Sequence, residues 1–285
     1  MYRIATKRVL NPTVIQLEIE SPLVARKAKP GQFIILRVDQ DGERIPLTVA
    51  GTDPEKGLTK IIFQVVGATT EKLKYKEAGD YIADFVGPLG VPTHTEGIKR
   101  VCIIGGGVGC AIAMPVAQEF HRLGAEVTSI IGFRSKDLLI LEDEFKEASN
   151  RLVVMTDDGS YGRHGNVTVP LKEMLEEDPN QFDLIITIGP LIMMKFVVLA
   201  AKPFNVPVTV SMNPIMIDGT GMCGGCRLSL IQDGKRVMKF ACVDGPDFNG
   251  YEVDFDEAIA RGRQYFDFER KAHAETCSLF QKEVA

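Results

Sequence analysis

The sequence predicts a multidomain protein in which an all-β region is followed by an α/β region and a small metal-binding segment. Short alternating apolar stretches come first, stretches typical of buried strands then alternate with helical stretches, and three cysteines cluster with an aspartate further on. We therefore expect an antiparallel β-barrel over residues 1–96, a doubly wound parallel α/β domain over 97–212, and a C-terminal subdomain over 213–285.

Composition narrows the class of protein. A chain of 285 residues exceeds one average domain, and its net charge of −5 argues against nucleic acid as the main partner. No apolar run reaches membrane-spanning length, and the N-terminus lacks a signal-peptide core, so we expect no membrane contact and a cytoplasmic location. Three of the six cysteines converge on one segment, which favours metal or redox chemistry over a disulfide framework.

The all-β region contains strand candidates at 14–20, 31–38 and 59–66. Arg44 and Thr48 lie two strand periods apart, so both side chains can face one ligand. A later strand end opens a short helix at Gly67, where amides and hydroxyls would suit a pyrophosphate. The alternative is that Arg44 is a surface ion-pair partner and that Thr69 and Thr70 cap the helix. The candidate ligand-binding residues are Arg44, Pro46, Leu47, Thr48, Gly67, Thr69 and Thr70.

The α/β region begins with a buried strand that leads from Arg100 into a glycine turn and a helix over 110–123. A second strand ends at Arg134, and we expect a helix over 137–150. The turn does not match G-x-G-x-x-G, because Cys110 occupies the position of the third glycine. Ligands of such sheets bind at the carboxyl ends of the strands. The candidates at those ends are Gly106, Gly107, Val108, Gly109, Arg134, Gly189 and Pro190.

The third region contains Asp218, Cys223 and Cys226 at the spacing D-x4-C-x2-C, and Cys242 further on. A hairpin turn at Asp233-Gly234 would bring Cys242 back to the other ligands. The spacing is that of a plant-type [2Fe–2S] site with aspartate in place of the first cysteine.

Other interpretations compete for these four residues. A structural zinc site with one carboxylate is less common than one with four cysteines or with three cysteines and a histidine. A Cys223–Cys226 disulfide would leave Cys242 without a role, and Asp218 could serve only as a turn residue. An iron–sulfur cluster accounts for all four.

Several of these motifs resemble the ferredoxin-NADP reductase family. Four motifs are similar to the flavin domain of that family: R-x-P-L-T at 44–48, G-x-T-T at 67–70, Gly79-Asp80 and G-P-L-G at 87–90. Three further motifs are similar to its nicotinamide lobe: the glycine turn at 105–109, Gly132-Phe133-Arg134 and Gly189-Pro190. The resemblance implies that the first region binds FAD and the second binds NAD(H). The residues leave NAD and NADP open, since Arg134 and Lys136 suit a 2′-phosphate and no acidic residue closes the second strand; the resemblance favours NAD.

The whole layout resembles dihydroorotate dehydrogenase electron-transfer subunits. Asp218 and the C-V-D-G-P stretch at 242–246 are similar to small subunits of NADH-dependent reduced ferredoxin:NADP oxidoreductases, which are electron-bifurcating heterodimers. This resemblance implies that electrons pass between NAD(H), FAD and a [2Fe–2S] cluster, and on to a larger subunit with FAD and [4Fe–4S] clusters that handles ferredoxin and NADP(H). It nominates no catalytic acid, base or nucleophile. The alternatives are a dihydroorotate dehydrogenase subunit and a non-catalytic, zinc-stapled nucleotide-binding module.

The remaining cysteines carry no predicted function. Cys102 and Cys110 fall in a buried strand and at a helix start, where inert thiols are common. The stretch from 252 to 285 is helical in pattern, with apolar contacts expected from Phe266, Phe268 and Phe280 and a structural role for Cys277.

Overall fold

The computed structural model describes residues 1–263. The predictions for Phe266, Phe268, Cys277 and Phe280 therefore lie outside the described residues. Within residues 1–263, no helix combines the length and hydrophobicity that crossing a membrane requires.

The first region forms one antiparallel sheet in the order β6-β1-β2-β5-β4-β3-β7. The two end strands of this order are separated in the chain only by Ala83, so the sheet curls until its edges approach, and its shape is close to a barrel. The strands are β1 (Tyr2–Asn11), β2 (Val14–Glu20), β3 (Phe33–Arg37), β4 (Arg44–Asp53), β5 (Leu58–Gln64), β6 (Tyr81–Ile82) and β7 (Asp84–Leu89), with helices α1 (Pro22–Lys27) and α2 (Ala68–Lys74).

Strand β2 shows how alternation builds this curled sheet. Ile15, Leu17 and Ile19 are buried in its interior, whereas Gln16 and Glu18 between them are partly exposed. Side chains of successive strand residues point to opposite faces, so from Ile15 onward this strand buries one face. The predicted alternation is confirmed.

The second region forms a sheet in the order β11-β10-β9-β8-β12-β13, with parallel neighbours throughout. All five residues of its strand Leu184–Ile188 are buried, as expected for a strand with helices on both faces. The strands are β8 (Arg100–Gly106), β9 (Glu126–Phe133), β10 (Arg151–Thr156), β11 (Arg163–His164), β12 (Leu184–Ile188) and β13 (Val208–Ser211); the helices are α3 (Gly109–Arg122), α4 (Glu142–Glu147), α5 (Thr168–Glu177) and α6 (Leu191–Ala201).

The predicted helix over 137–150 is wrong in extent. The structure has a 3-10 turn at Lys136–Leu138 and then the short helix α4, with Leu141 between them at φ 59°. Ile140 is buried and its leucine neighbours are partly buried against the core beside α3. Packing of this apolar stretch in a non-helical conformation therefore overrides its local helix propensity.

The third region adds the hairpin of β14 (Arg227–Gln232) and β15 (Lys235–Phe240), the strand β16 (Asp247–Asn249) and the helix α7 (Phe255–Gly262). β16 pairs antiparallel with β13 and extends the α/β sheet by one strand. One hydrophobic cluster joins the hairpin residue Leu228, the α/β strand residue Ile185 and Ile35 from β3 of the curled sheet. The third region is therefore packed against both of the others.

Candidate cofactor sites and metal centre

The candidate ligand-binding residues of the curled sheet lie on two elements that a hydrogen bond joins. Arg44 begins β4 and is exposed, and Pro46, Leu47 and Thr48 follow it as partly buried residues. The Thr69 hydroxyl at the start of α2 donates to Glu43 Oε2 over 3.0 Å. The structure thus brings the Arg44 strand and the Gly67 helix start together, although they are more than twenty residues apart in the chain.

Thr70 has a structural task at this helix start. Its hydroxyl accepts the N–H groups of Val66 and Gly67, both over 3.0 Å, and donates to the Gly67 carbonyl over 2.9 Å. Both amides are engaged by Thr70 instead of pointing outward to an anion. The capping interpretation accounts for Thr70, and a direct contact with a pyrophosphate stays a prediction for it.

The glycine turn of the α/β region lies where β8, β9 and β12 end side by side. The Gly107 N–H donates to the Gly132 carbonyl over 2.8 Å, which joins the ends of β8 and β9. A Cβ on Gly109 would lie 2.5 Å from the Ile188 carbonyl oxygen, so α3 can begin this close to β12 only with glycine there. The sheet reverses its order between β8 and β12, the place where such sheets bind ligands.

The same edge holds Arg134 and two carboxylates that the sequence interpretation missed. The N–H groups of Asp157 and Asp158 donate to the Phe133 and Arg134 carbonyls over 3.0 and 3.2 Å. Both aspartates are exposed and follow β10, the neighbour of β9. They follow the third strand of the α/β series, so the Rossmann pattern of an acid after the second strand could not reveal them. The apolar stretch 152–156, which is typical of a buried strand and directly precedes them, was the available signal.

The candidate metal ligands fall into two pairs, of which the first is partly exposed. Asp218 accepts the N–H groups of Thr220 and Cys223 over 3.1 and 2.9 Å, and its Oδ1 lies 3.4 Å from Cys223 Sγ. Burial acts to raise the pKa of Asp218, but the two amide hydrogen bonds outweigh it and bring the pKa to about 2. Asp218 is therefore a carboxylate at neutral pH, able to donate an oxygen to a metal.

The second pair is buried and is brought together by the hairpin. Cys226 directly precedes β14, and Cys242 follows β15 after one residue, so that the two Sγ atoms lie 3.1 Å apart as free thiols. The predicted turn at Asp233-Gly234 is present, with φ of 51° and 73° at its two residues. Burial raises the pKa of Cys242 to about 12. Because metal ligation requires the thiolate, binding would release this proton.

This pairing fits one of the metal centres that the residues could hold. A [2Fe–2S] cluster takes two protein ligands on each of its two irons. Asp218 with Cys223, and Cys226 with Cys242, fit that requirement, and glycines at φ 76°, 83° and 65° (Gly219, Gly221 and Gly224) let the loop wrap closely.

A curled antiparallel sheet, a parallel α/β sheet and a C-terminal ligand loop define the class of ferredoxin-NADP reductase-like oxidoreductase subunits. The fold is shared with the ferredoxin reductase of carbazole 1,9a-dioxygenase, at a TM-score of 0.62 and 18% identity over 73% of this chain and 67% of that one.

Closer relatives identify the family. The Thermotoga maritima homolog of the dihydroorotate dehydrogenase B (NAD(+)) electron transfer subunit is 49% identical, covering 90% of this chain and 89% of the relative. A probable subunit of the same name from Methanocaldococcus jannaschii is 40% identical, covering 80% and 81%. Residues 213–254 match the iron–sulfur cluster binding domain of dihydroorotate dehydrogenase B. The chain belongs to the family of dihydroorotate dehydrogenase B electron-transfer subunits and their homologues.

One solved structure of this family is similar over nearly its whole length. It comes from work on flavin-based electron bifurcation in the NADH-dependent reduced ferredoxin-NADP oxidoreductase. Its TM-score is 0.89 at 46% identity, and the match covers 96% of this chain and 97% of that one.

Proposed function

We propose that this chain is the electron-transfer subunit of a flavin-based, electron-bifurcating ferredoxin:NADP oxidoreductase, passing electrons between NAD(H), FAD and a [2Fe–2S] cluster. The observation that carries the proposal is the ligand set of two pairs, with Asp218 in one of them, packed beside a flavin-type sheet and a nucleotide-type sheet. Further support is the near full-length similarity to the bifurcating enzyme's structure.

Each region would have one task, within the boundaries 1–96, 97–212 and 213–285 predicted from the sequence. Arg44 and Thr48 would hold the flavin from β4, with Gly67 and Thr69 near its pyrophosphate. The glycine turn, Arg134 and the Gly189-Pro190 stretch would hold the nicotinamide dinucleotide at the carboxyl edge. When bound, the flavin exchanges a hydride with NAD(H) and single electrons with the cluster. The protein's own groups bind and orient, and no side chain acts as acid or base.

Asp157 and Asp158 support NAD as the dinucleotide. Their backbone N–H groups donate to the Phe133 and Arg134 carbonyls, and both residues are exposed at the edge where the dinucleotide would bind. They would repel a 2′-phosphate and could accept hydrogen bonds from free ribose hydroxyls. We expect Asp158→Asn to raise kcat/KM for NADPH about fivefold, roughly 1 kcal/mol for one removed repulsion, with little change for NADH. An unchanged ratio of the two kcat/KM values would count against this assignment.

The partner would be a larger subunit with its own FAD and [4Fe–4S] clusters, through which ferredoxin and NADP(H) react. Copurification from the native host, with flavin, iron and acid-labile sulfide measured on the complex, tests the whole proposal. We expect FAD and two irons for this chain, and we expect NADH to reduce both the flavin and the cluster. Zinc in place of iron, together with the absence of a yellow flavin spectrum, would instead establish the nucleotide-binding module.

A second candidate is the electron-transfer subunit of an NAD-dependent dihydroorotate dehydrogenase. The match of residues 213–254 to the cluster domain of that enzyme favours it. The two candidates differ in the copurified partner. Dihydroorotate oxidation by the complex would establish the second candidate, whereas coupled reduction of ferredoxin and NAD from NADPH would establish the first.

A further inference from the structure

The ligand loop is joined to the curled sheet beside its first ligand, and to the linker that follows the sheet beyond its last ligand. Gly219 follows the first ligand, Asp218, and a Cβ on it would lie 2.7 Å from Leu89 Cδ1 and 3.0 Å from Ile35 Cγ1. Leu89 and Ile35 belong to β7 and β3, so the loop backbone lies directly on the curled sheet. Only a residue without a side chain permits this approach, and the φ of 76° disfavours other residues as well.

Downstream of Cys242, the loop is joined to the linker that leads from β7 to β8. The Val91 N–H donates to the Gly245 carbonyl over 2.7 Å, and the Thr93 hydroxyl donates to Asp247 Oδ2 over 2.6 Å. Thr93 and Asp247 are 154 positions apart in the chain. We call this pair the linker latch.

The linker latch uses a carboxylate that is costly to bury. Asp247 Oδ1 is excluded from solvent, and burial raises the pKa of this side chain, an effect that the Thr93 and Ser211 hydroxyls oppose. A buried carboxylate costs stability unless it is well paired, and an apolar residue would close the same interface more cheaply. A directional hydrogen bond, unlike an apolar contact, fixes the position of β16 relative to the linker.

The third region is therefore attached to both the curled sheet and the α/β sheet. Strand pairing of β16 with β13 attaches it to the α/β sheet, while Gly219 and the linker latch attach it to the curled sheet. We propose that Gly219 and the Thr93–Asp247 pair are positioning residues that set the separation between the cluster and the flavin. Through this separation they control the transfer of single electrons between the two. This inference rests on the proposed function.

The test compares Gly219→Ala with Gly234→Ala. Gly234 has nearly the same φ, 73°, but a Cβ there meets nothing within 4 Å. Gly234→Ala therefore introduces the same backbone strain as Gly219→Ala without a steric contact. Thr93→Val removes the donor of the linker latch, and Thr209→Val on β13 is its control. Purified holoprotein is mixed rapidly with NADH, and flavin bleaching and cluster reduction are followed separately.

We expect Gly219→Ala and Thr93→Val to leave flavin bleaching unchanged and to slow cluster reduction several-fold, because the rate of electron tunnelling falls exponentially as the donor and the acceptor move apart. Both controls should match the wild type. In the double variant Gly219→Ala/Leu89→Ala, the shortened side chain makes room for the new Cβ, and the rate should recover.

A second readout does not depend on turnover. The reduced cluster is paramagnetic and broadens the phosphorus NMR signals of bound FAD. This broadening should fall in Gly219→Ala and Thr93→Val, with unchanged iron content. Unchanged rates and broadening would overturn the inference, as would a loss of iron, which would make these residues necessary for cluster assembly. A wild-type protein without flavin, or with a cluster that NADH cannot reduce, would instead refute the proposed function.

Discussion

The two halves of the candidate cluster site are built in different ways. Cys226 and Cys242 are buried, with exposed fractions of 1% and 2%, and a hairpin places them within the core. Asp218 and Cys223 lie on a partly exposed loop that is shaped by glycines and by amide hydrogen bonds to the carboxylate. One half therefore depends on the packing of the fold, and the other on local loop chemistry. Substitutions in the two halves should therefore impair the protein in different ways.

The largest effect is expected in the buried half. Cys226→Ala should reduce iron to background and lower the free energy of unfolding by about 3 kcal/mol or more, because metal binding contributes directly to folding. Iron analysis and urea denaturation of the purified protein measure both quantities. Cys102→Ala, a buried cysteine away from the site, is the control and should keep its iron. If Cys226→Ala retained a full cluster, the buried pair would not be a ligand pair.

Asp247, which follows the buried ligand Cys242 in the chain, should make the free energy of unfolding depend on pH. Burial raises its pKa in the folded protein above the unfolded value near 3.8, so its contribution is fully present below that value and is lost as the pH rises through the folded pKa. Relative to Asp247→Asn, the wild type should gain stability as the pH falls, by about 1.4 kcal/mol per unit of pKa difference. Urea denaturation at a series of pH values from below 3.8 upward tests this; parallel curves for the two proteins would contradict it.

In the half that contains Asp218 and Cys223, substitutions that alter the backbone conformation should have the clearest effect. Gly224 has a φ of 65°, and a Cβ on it would make only an ordinary contact, 3.8 Å from Phe240 Cε1. Gly224→Ala should therefore cost about 1 kcal/mol for the left-handed conformation, as should Gly234→Ala in the hairpin turn. Only Gly224→Ala should also broaden the cluster EPR signal. Identical spectra for both variants would mean that the loop conformation does not shape the site.

Asp218→Cys should have the smallest effect on stability and the clearest effect on the cluster. A thiolate is a softer donor than a carboxylate, so the EPR spectrum and reduction potential should change while iron content is kept. Redox titration followed by EPR measures both. Wild-type values in the variant would show that Asp218 is a turn residue and not a ligand.

Local features could be predicted from the sequence because neighbouring residues encode them. The alternation in β2, the alternating strands and helices, and the turn at Asp233-Gly234 each follow from periodicity or from turn chemistry. The helix over 137–150 could not be predicted correctly, since the core draws Ile140 and its neighbours into a non-helical conformation. The spacing of Asp218, Cys223 and Cys226 suggested a metal site, but not its division into two pairs.

By itself, the sequence determined the order of the three regions, the ligand types and the turns, because these depend on residues close together in the chain. Only the tertiary structure decided which distant residues meet. Asp157 and Asp158 lie beside Arg134 because β10 pairs with β9, and Thr93 reaches Asp247 because β16 extends the sheet beside the linker. Strand order and close packing set these contacts, and no local pattern in the chain records either.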